Sequence, residues 1–117
     1  MKSYRDLIVW QKSMDVVTLI YKVVKQFPED EKFGLTSQIK RSSVSVPSNI
    51  AEGYGRNYTK DYIRFLNIAR GSLYEMQTQL QVAVNLGFII EAELNKTKPL
   101  SKEVEKMLNS LINKLAN

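Results

Sequence analysis

The chain reads RSSVSVPSNIAEGYGRNYTKDYIR from Arg41 to Arg64, and here the residues that could do chemistry are densest. Tyr54, Arg56, Tyr58, Lys60, Tyr62 and Arg64 alternate, interleaving rings that can stack on bases with cations that can neutralise phosphates. A spacing of two does not hold one face of a helix, however. Tyr62 belongs to an apolar rhythm that continues to Ala83, and Tyr54 is placed to pack at a helix end. The tyrosines are therefore read as structural. The residues expected to contact nucleic acid are the cations Lys40, Arg41, Arg56, Lys60, Arg64 and Arg70.

Catalytic chemistry finds little support. The chain has no histidine and no cysteine, which removes imidazole bases, thiol nucleophiles and the usual zinc ligands. GYGR lacks the lysine and hydroxyl ending of a phosphate loop. Ser37 and Lys40 have an S-x-x-K spacing without the other elements of that signature. Glu29, Asp30 and Glu31, like Glu91 and Glu93, lack the Glu-x-x-His pairs of di-iron bundles and read as helix-start charges and solvated faces. No catalytic residue, metal or cofactor is assigned.

Charge distribution points the same way. Of the net +5, the whole excess falls between Lys32 and Leu73, where seven cations face only Glu52 and Asp61. A local excess of this kind favours an anionic partner. The amino terminus carries charges on both sides of a short apolar run, and no window has the length of a spanning segment. The expected compartment is the cytoplasm, with no membrane association.

The elements that must position these residues are helices. With 117 residues the chain is expected to be one domain, residues 1–117, burying roughly 65% of its unfolded surface. From Leu7 to Phe27 two apolar rows run side by side: Trp10, Met14, Val17, Tyr21 and Val24, and Val9, Val16, Ile20, Val23 and Phe27. So wide an arc predicts burial on two sides. Asp6 is expected to cap this helix, and Pro28 to end it. Ile39, Ser43, Val46, Ile50 and Gly53 then make the core-facing stripe of a second helix, kinked at Pro47 and stopped by Gly53 and Gly55. Thr59 caps the longest helix, whose stripe is Tyr62, Leu66, Ala69, Leu73, Met76, Leu80 and Ala83, with a stop at Leu86 and Gly87. A last helix carries Leu100, Val104, Leu108, Leu111 and Leu115; it starts either at Glu91, with a kink at Pro99, or at Pro99 itself. Short connections between four helices predict an all-α, antiparallel up-down-up-down four-helix bundle.

The second helix has two further stripes. Val44, Pro47 and Ala51 are small and apolar, allowing close approach by another backbone; Gln38, Ser42, Ser45, Asn49, Glu52 and Arg56 are polar throughout. The polar stripe either faces water or lies in a subunit interface, with Glu52 paired to Arg56 or Arg70. Since a lone bundle would leave part of the first helix's arc wet, a homo-oligomer is expected, with Val44, Pro47, Ala51, Asn49 and Glu52 at its interface.

DLIVWQKSMDVVTLIYKVVKQFP, GLTSQIKRSSVSVPSNIAEGYGR, FLNIARGSLYEMQTQL and MLNSLI resemble the four helix bundle protein family, whose members include proteins encoded in intervening sequences of bacterial large-subunit ribosomal RNA genes and labelled ribosomal-protein-like. The likeness runs from about Tyr4 to Leu115, with Ser42 and Ser43 standing where the family commonly has alanine. That family is similar to the accessory variability protein of diversity-generating retroelements, a basic five-fold ring that works with nucleic acid. The resemblance implies a four-helix bundle, a homopentamer and a nucleic-acid role, and no catalytic residues. The competing expectation is an adaptor or scaffold for a partner protein without direct nucleic-acid contact.

Overall fold

The structure is a computed structural model that describes residues 2–117. It contains four helices, α1 Ile8–Val24, α2 Leu35–Tyr54, α3 Thr59–Asn85 and α4 Glu91–Ala116, in the expected up-down-up-down order. Short 3-10 turns at Tyr4–Asp6 and Glu29–Glu31 precede α1 and α2. α2 and α3 share the most extensive interface, α1 packs on α2 and α4, and α3 packs on α4. Among the described residues only neighbouring helices bring their backbones close, and inward side chains from all four form one core along the 43 Å long axis.

Each helix contributes a stripe whose period the sequence shows. From α3 come Leu66, Ala69, Leu73, Met76, Leu80 and Ala83, all buried, with Tyr62 half-buried at the end of the row. From α2 come Ile39, Ser43, Val46, Ile50 and Gly53. α1 divides its wide arc: Val9, Val16, Ile20 and Val23 enter the core, while Met14 and Tyr21 of the other row stay exposed and Trp10 and Val17 are half-buried. The hydroxyls inside this core bond locally, Ser13 to the Trp10 carbonyl, Ser43 to that of Lys40 and Thr97 to that of Leu94. No buried side-chain polar atom among the described residues lacks a partner.

Several boundaries differ from expectation. Asp6 does not cap α1; its carboxylate turns back to accept from the Lys2 and Ser3 amides, closing a capping box on the preceding turn. Thr59 is the first helical residue of α3 rather than its cap, a shift of one position. Glu31 supplies the cap of α2 from outside the helix, its Oε1 accepting from the Leu35 amide at 3.0 Å. α4 begins at Glu91, with Pro99 inside it. The stop at Leu86 and Gly87 is a Schellman turn: Gly87 has φ 78°, its amide bonds the Val84 carbonyl, and that of Phe88 bonds Ala83 at 2.8 Å.

Gly53 has a different role from the stop first expected of it. It lies within α2, and a Cβ there would stand 2.8 Å from the Phe65 Cβ and 3.0 Å from Cδ1 of Tyr62. It is small because α3 passes so close. Gly71, in the middle of α3, has no such neighbour within 4 Å. The two glycines should therefore respond oppositely in urea denaturation. Gly53→Ala is expected to lose about 1–3 kcal/mol through overpacking, whereas Gly71→Ala should gain roughly 0.5–1 kcal/mol from helix propensity; equal effects would refute the close approach.

Candidate nucleic-acid interface

The six expected cations occupy different parts of the bundle. Lys40 and Arg41 lie in the first half of α2, while Arg56, Lys60 and Arg64 gather where α2 turns into α3. Sixteen residues at helical rise put Lys40 and Arg56 about 24 Å apart, so the set forms two clusters rather than one patch. Arg70 belongs to neither. Its guanidinium bridges α3 to α4, donating to Asn109 Oδ1 at 2.8 Å and to Asn67 Oδ1 at 2.7 Å, and it is only half-exposed.

At the α2–α3 turn two guanidiniums stand over Phe65, with Arg56 Cζ 4.5 Å and Arg64 Cζ 4.6 Å from the ring centroid. Both arginines remain exposed while their guanidiniums approach the apolar ring. Arg56 also reaches Glu52 at 3.9 Å, one helical turn back. The tyrosines of the alternating run part company here: Tyr54 and Tyr62 meet edge to face at 6.2 Å, whereas Tyr58 is 72% exposed. Tyr54 and Tyr62 are structural, as expected; Tyr58 is not packed.

At the opposite end three lysines outside the sequence-based set join Lys40. Lys25, Lys32 and Lys40 line one shallow cavity with Glu29 and Thr36, and Lys22 and Lys25 line the next one along with Tyr21. Lys40 Nζ stands 5.0 Å over the Tyr21 ring, joining the two. Net charge does not mark Lys22 and Lys25, because the segment before Lys32 is balanced; their signal is their place at the carboxy-terminal end of α1, Lys22 in its last turn and Lys25 at its C-cap.

The expected interface residues also separate. Val44, Pro47 and Ala51 come together with Trp10, Met14 and Val17 along an apolar groove of about 330 Å³ between α1 and α2. Asn49 and Glu52 do not line it. The Asn49 amide donates to the Ser45 carbonyl and hydroxyl at 2.8 and 2.9 Å, and Glu52 is exposed beside Arg56. Neither environment expected for the polar stripe describes its middle. Ser42 Oγ donates to Gln79 Oε1 at 2.7 Å, and Ser45 shares a 2.8 Å hydrogen bond with Ser72, so the stripe faces α3 of the same chain. Acidic residues do not converge: no three among the described residues form a group able to hold a metal.

Comparison with known proteins agrees with this architecture. The family model of the 23S rRNA-intervening sequence protein matches residues 5–110. A crystal structure of a protein of unknown function from the S23 ribosomal protein family of Bacteroides thetaiotaomicron is similar with a TM-score of 0.82 and 28% identity, covering 90% of this chain and 98% of that one. No curated protein matches the sequence.

The Tyr54–Tyr62 contact can be read in solution. Burial, and secondarily the neighbouring Tyr54, raises the Tyr62 phenol above the ordinary tyrosine range. A raised folded value means that Tyr62 favours the fold fully below the unfolded value of about 10 and loses that contribution as pH climbs through the folded one. Alkaline absorbance titration should show one late-ionising phenol that Tyr62→Phe removes; its persistence in that variant would reassign the contact.

Proposed function

The chain belongs to the 23S rRNA-intervening sequence protein family, and from that premise we propose that it is a non-enzymatic, homo-oligomeric bundle that binds RNA or DNA through phosphate contacts. The observation that carries this reading is the state of its cations. Of the seven between Lys32 and Leu73, only Arg56 has a carboxylate within ion-pairing distance. Elsewhere three of the ten cations, Lys12, Lys96 and Lys102, are paired, with Glu103, Glu93 and Glu105, and acidic residues equal the cations in number. The bundle thus keeps unneutralised charge on the surfaces of α2 and α3. Phosphate contacts release condensed counterions, which is the source of affinity for such a surface. Lys40, Arg41, Lys60 and Arg64 are the contacts assigned, joined by Lys22, Lys25 and Lys32; Arg70 contributes field while bracing α4.

Self-association uses the groove of Trp10, Met14, Val17, Val44, Pro47 and Ala51. Met14 and Val44 are exposed there, Trp10, Val17 and Ala51 are half-buried and Pro47 is covered, so a second copy would complete the burial that α1 begins. Five copies is the stoichiometry that the resemblance favours. The same groove supports the second reading, an adaptor that seats a partner protein; retention of that partner at high salt after nuclease treatment would favour it. No helix among the described residues is long and apolar enough to cross a membrane.

Two measurements test these proposals. Affinity for mixed-sequence nucleic acid should fall on the order of 100-fold between about 50 and 200 mM salt if about four phosphates are engaged, and Lys40→Gln or Arg41→Gln should each lower the salt slope by about one contact. Absent binding at low salt, or affinity indifferent to salt, would overturn the nucleic-acid role. For assembly, light scattering should give an oligomer for the parent and a smaller mass for Ala51→Trp at unchanged helicity; a parent monomer at micromolar concentration would remove the groove's assignment.

A further inference from the structure

Phe33 is 91% exposed, the most exposed of the large apolar side chains among the described residues. It stands in the connection between α1 and α2, two residues before α2 begins. Such a ring gains nothing from the fold it decorates. Its surroundings are cationic: Lys32 Nζ lies 5.7 Å from its centroid, and Lys32 shares a cavity with Lys25 and Lys40. None of these lysines has an acidic partner.

Resting on the nucleic-acid reading above, we propose that this end of the bundle takes an unpaired strand, with one base stacked on Phe33 and neighbouring phosphates on Lys25, Lys32 and Lys40. The charges alone set a limit on what phosphate contact can supply. Lys22, Lys25, Lys32, Lys40 and Arg41 face Glu29, Asp30 and Glu31 in the same region. Glu31 is engaged on the Leu35 amide, and Glu29 rims the cavity. With so modest an excess, a purely electrostatic site would be weak, and an open aromatic face adds affinity independent of charge. That addition discriminates. In a duplex each base is already stacked between its neighbours, so Phe33 offers nothing without breaking them apart; a single strand presents free faces.

The test compares a labelled oligouridylate of about fifteen nucleotides with an RNA duplex of about the same length by fluorescence anisotropy at low salt. Phe33→Ala should weaken strand binding about tenfold and leave duplex binding within about twofold, while Phe33→Trp keeps the strand affinity. Lys25→Gln with Lys32→Gln should weaken both probes. Equal strand affinity for the parent and Phe33→Ala would overturn this inference and leave the nucleic-acid reading standing, whereas failure of the parent to bind either probe would overturn both. A change of oligomeric mass in Phe33→Ala, measured by light scattering, would make Phe33 an assembly contact and overturn the inference. Circular dichroism of the parent spectrum in every variant fixes these outcomes to binding.

Discussion

The close approach of α2 to α3 is the constraint from which the rest of this bundle follows. Gly53 leaves room only for hydrogen where Phe65 and Tyr62 pass, and two side-chain hydrogen bonds, Ser42 to Gln79 and Ser45 to Ser72, fix the register along the same seam. Packing of this kind is unforgiving of one extra carbon and supplies orientation as well as contact. It turns the core stripe of α2 inward and holds Phe65 where Arg56 and Arg64 can approach it. The buried hydroxyls and amide are tolerable because each is satisfied.

Once the polar stripe of α2 is spent on α3, the remaining stripe faces α1. Val44, Pro47 and Ala51 then meet Trp10, Met14 and Val17, the part of their α1 row that the core leaves at least partly open, and the apolar groove results. Pro47 is tolerated at this position because α2 is held on both sides by neighbours, even though its ring removes one amide from the ladder. The Ser43 hydroxyl donates to the carbonyl of Lys40 in the same helix. The width of the arc on α1, visible in the sequence, and the small residues on α2 are thus two halves of one surface.

The fold was legible because hydrophobic period is a local property. Seven positions of α3 and five of α2 recur at helical spacing, and burial follows them. The candidate site was legible only in part. Lys40 and Arg64 read as cations from the sequence, but their distance from each other depends on which end of an antiparallel pair each occupies. Arg70 could not be told from a free cation without Asn109, which lies thirty-nine residues away. Nor could the polar stripe be assigned: serines facing water, a second copy or α3 have the same spacing, and only Gln79 and Ser72 on the facing helix decide. Gly53 looked like a helix stop for the same reason, since Gly55 beside it does end the helix and the difference is what stands 2.8 Å away.

The groove and the lysine end are not independent surfaces. Val17 and Val44 line the apolar groove and also the cavity that holds Tyr21, Lys22 and Lys25. A copy seated in the groove would therefore lie beside these lysines, and the assembly proposed here would bring several weak cationic sites to fixed separations. One such site, with Glu29 in its own rim, would engage few phosphates. Several sites on one particle act on a long polyanion at high effective concentration, so that each bound segment raises the local concentration of the next. Charge too sparse for tight binding by a lone bundle would then suffice in an assembled one, and the apolar arc of α1 would serve the proposed nucleic-acid role without touching nucleic acid.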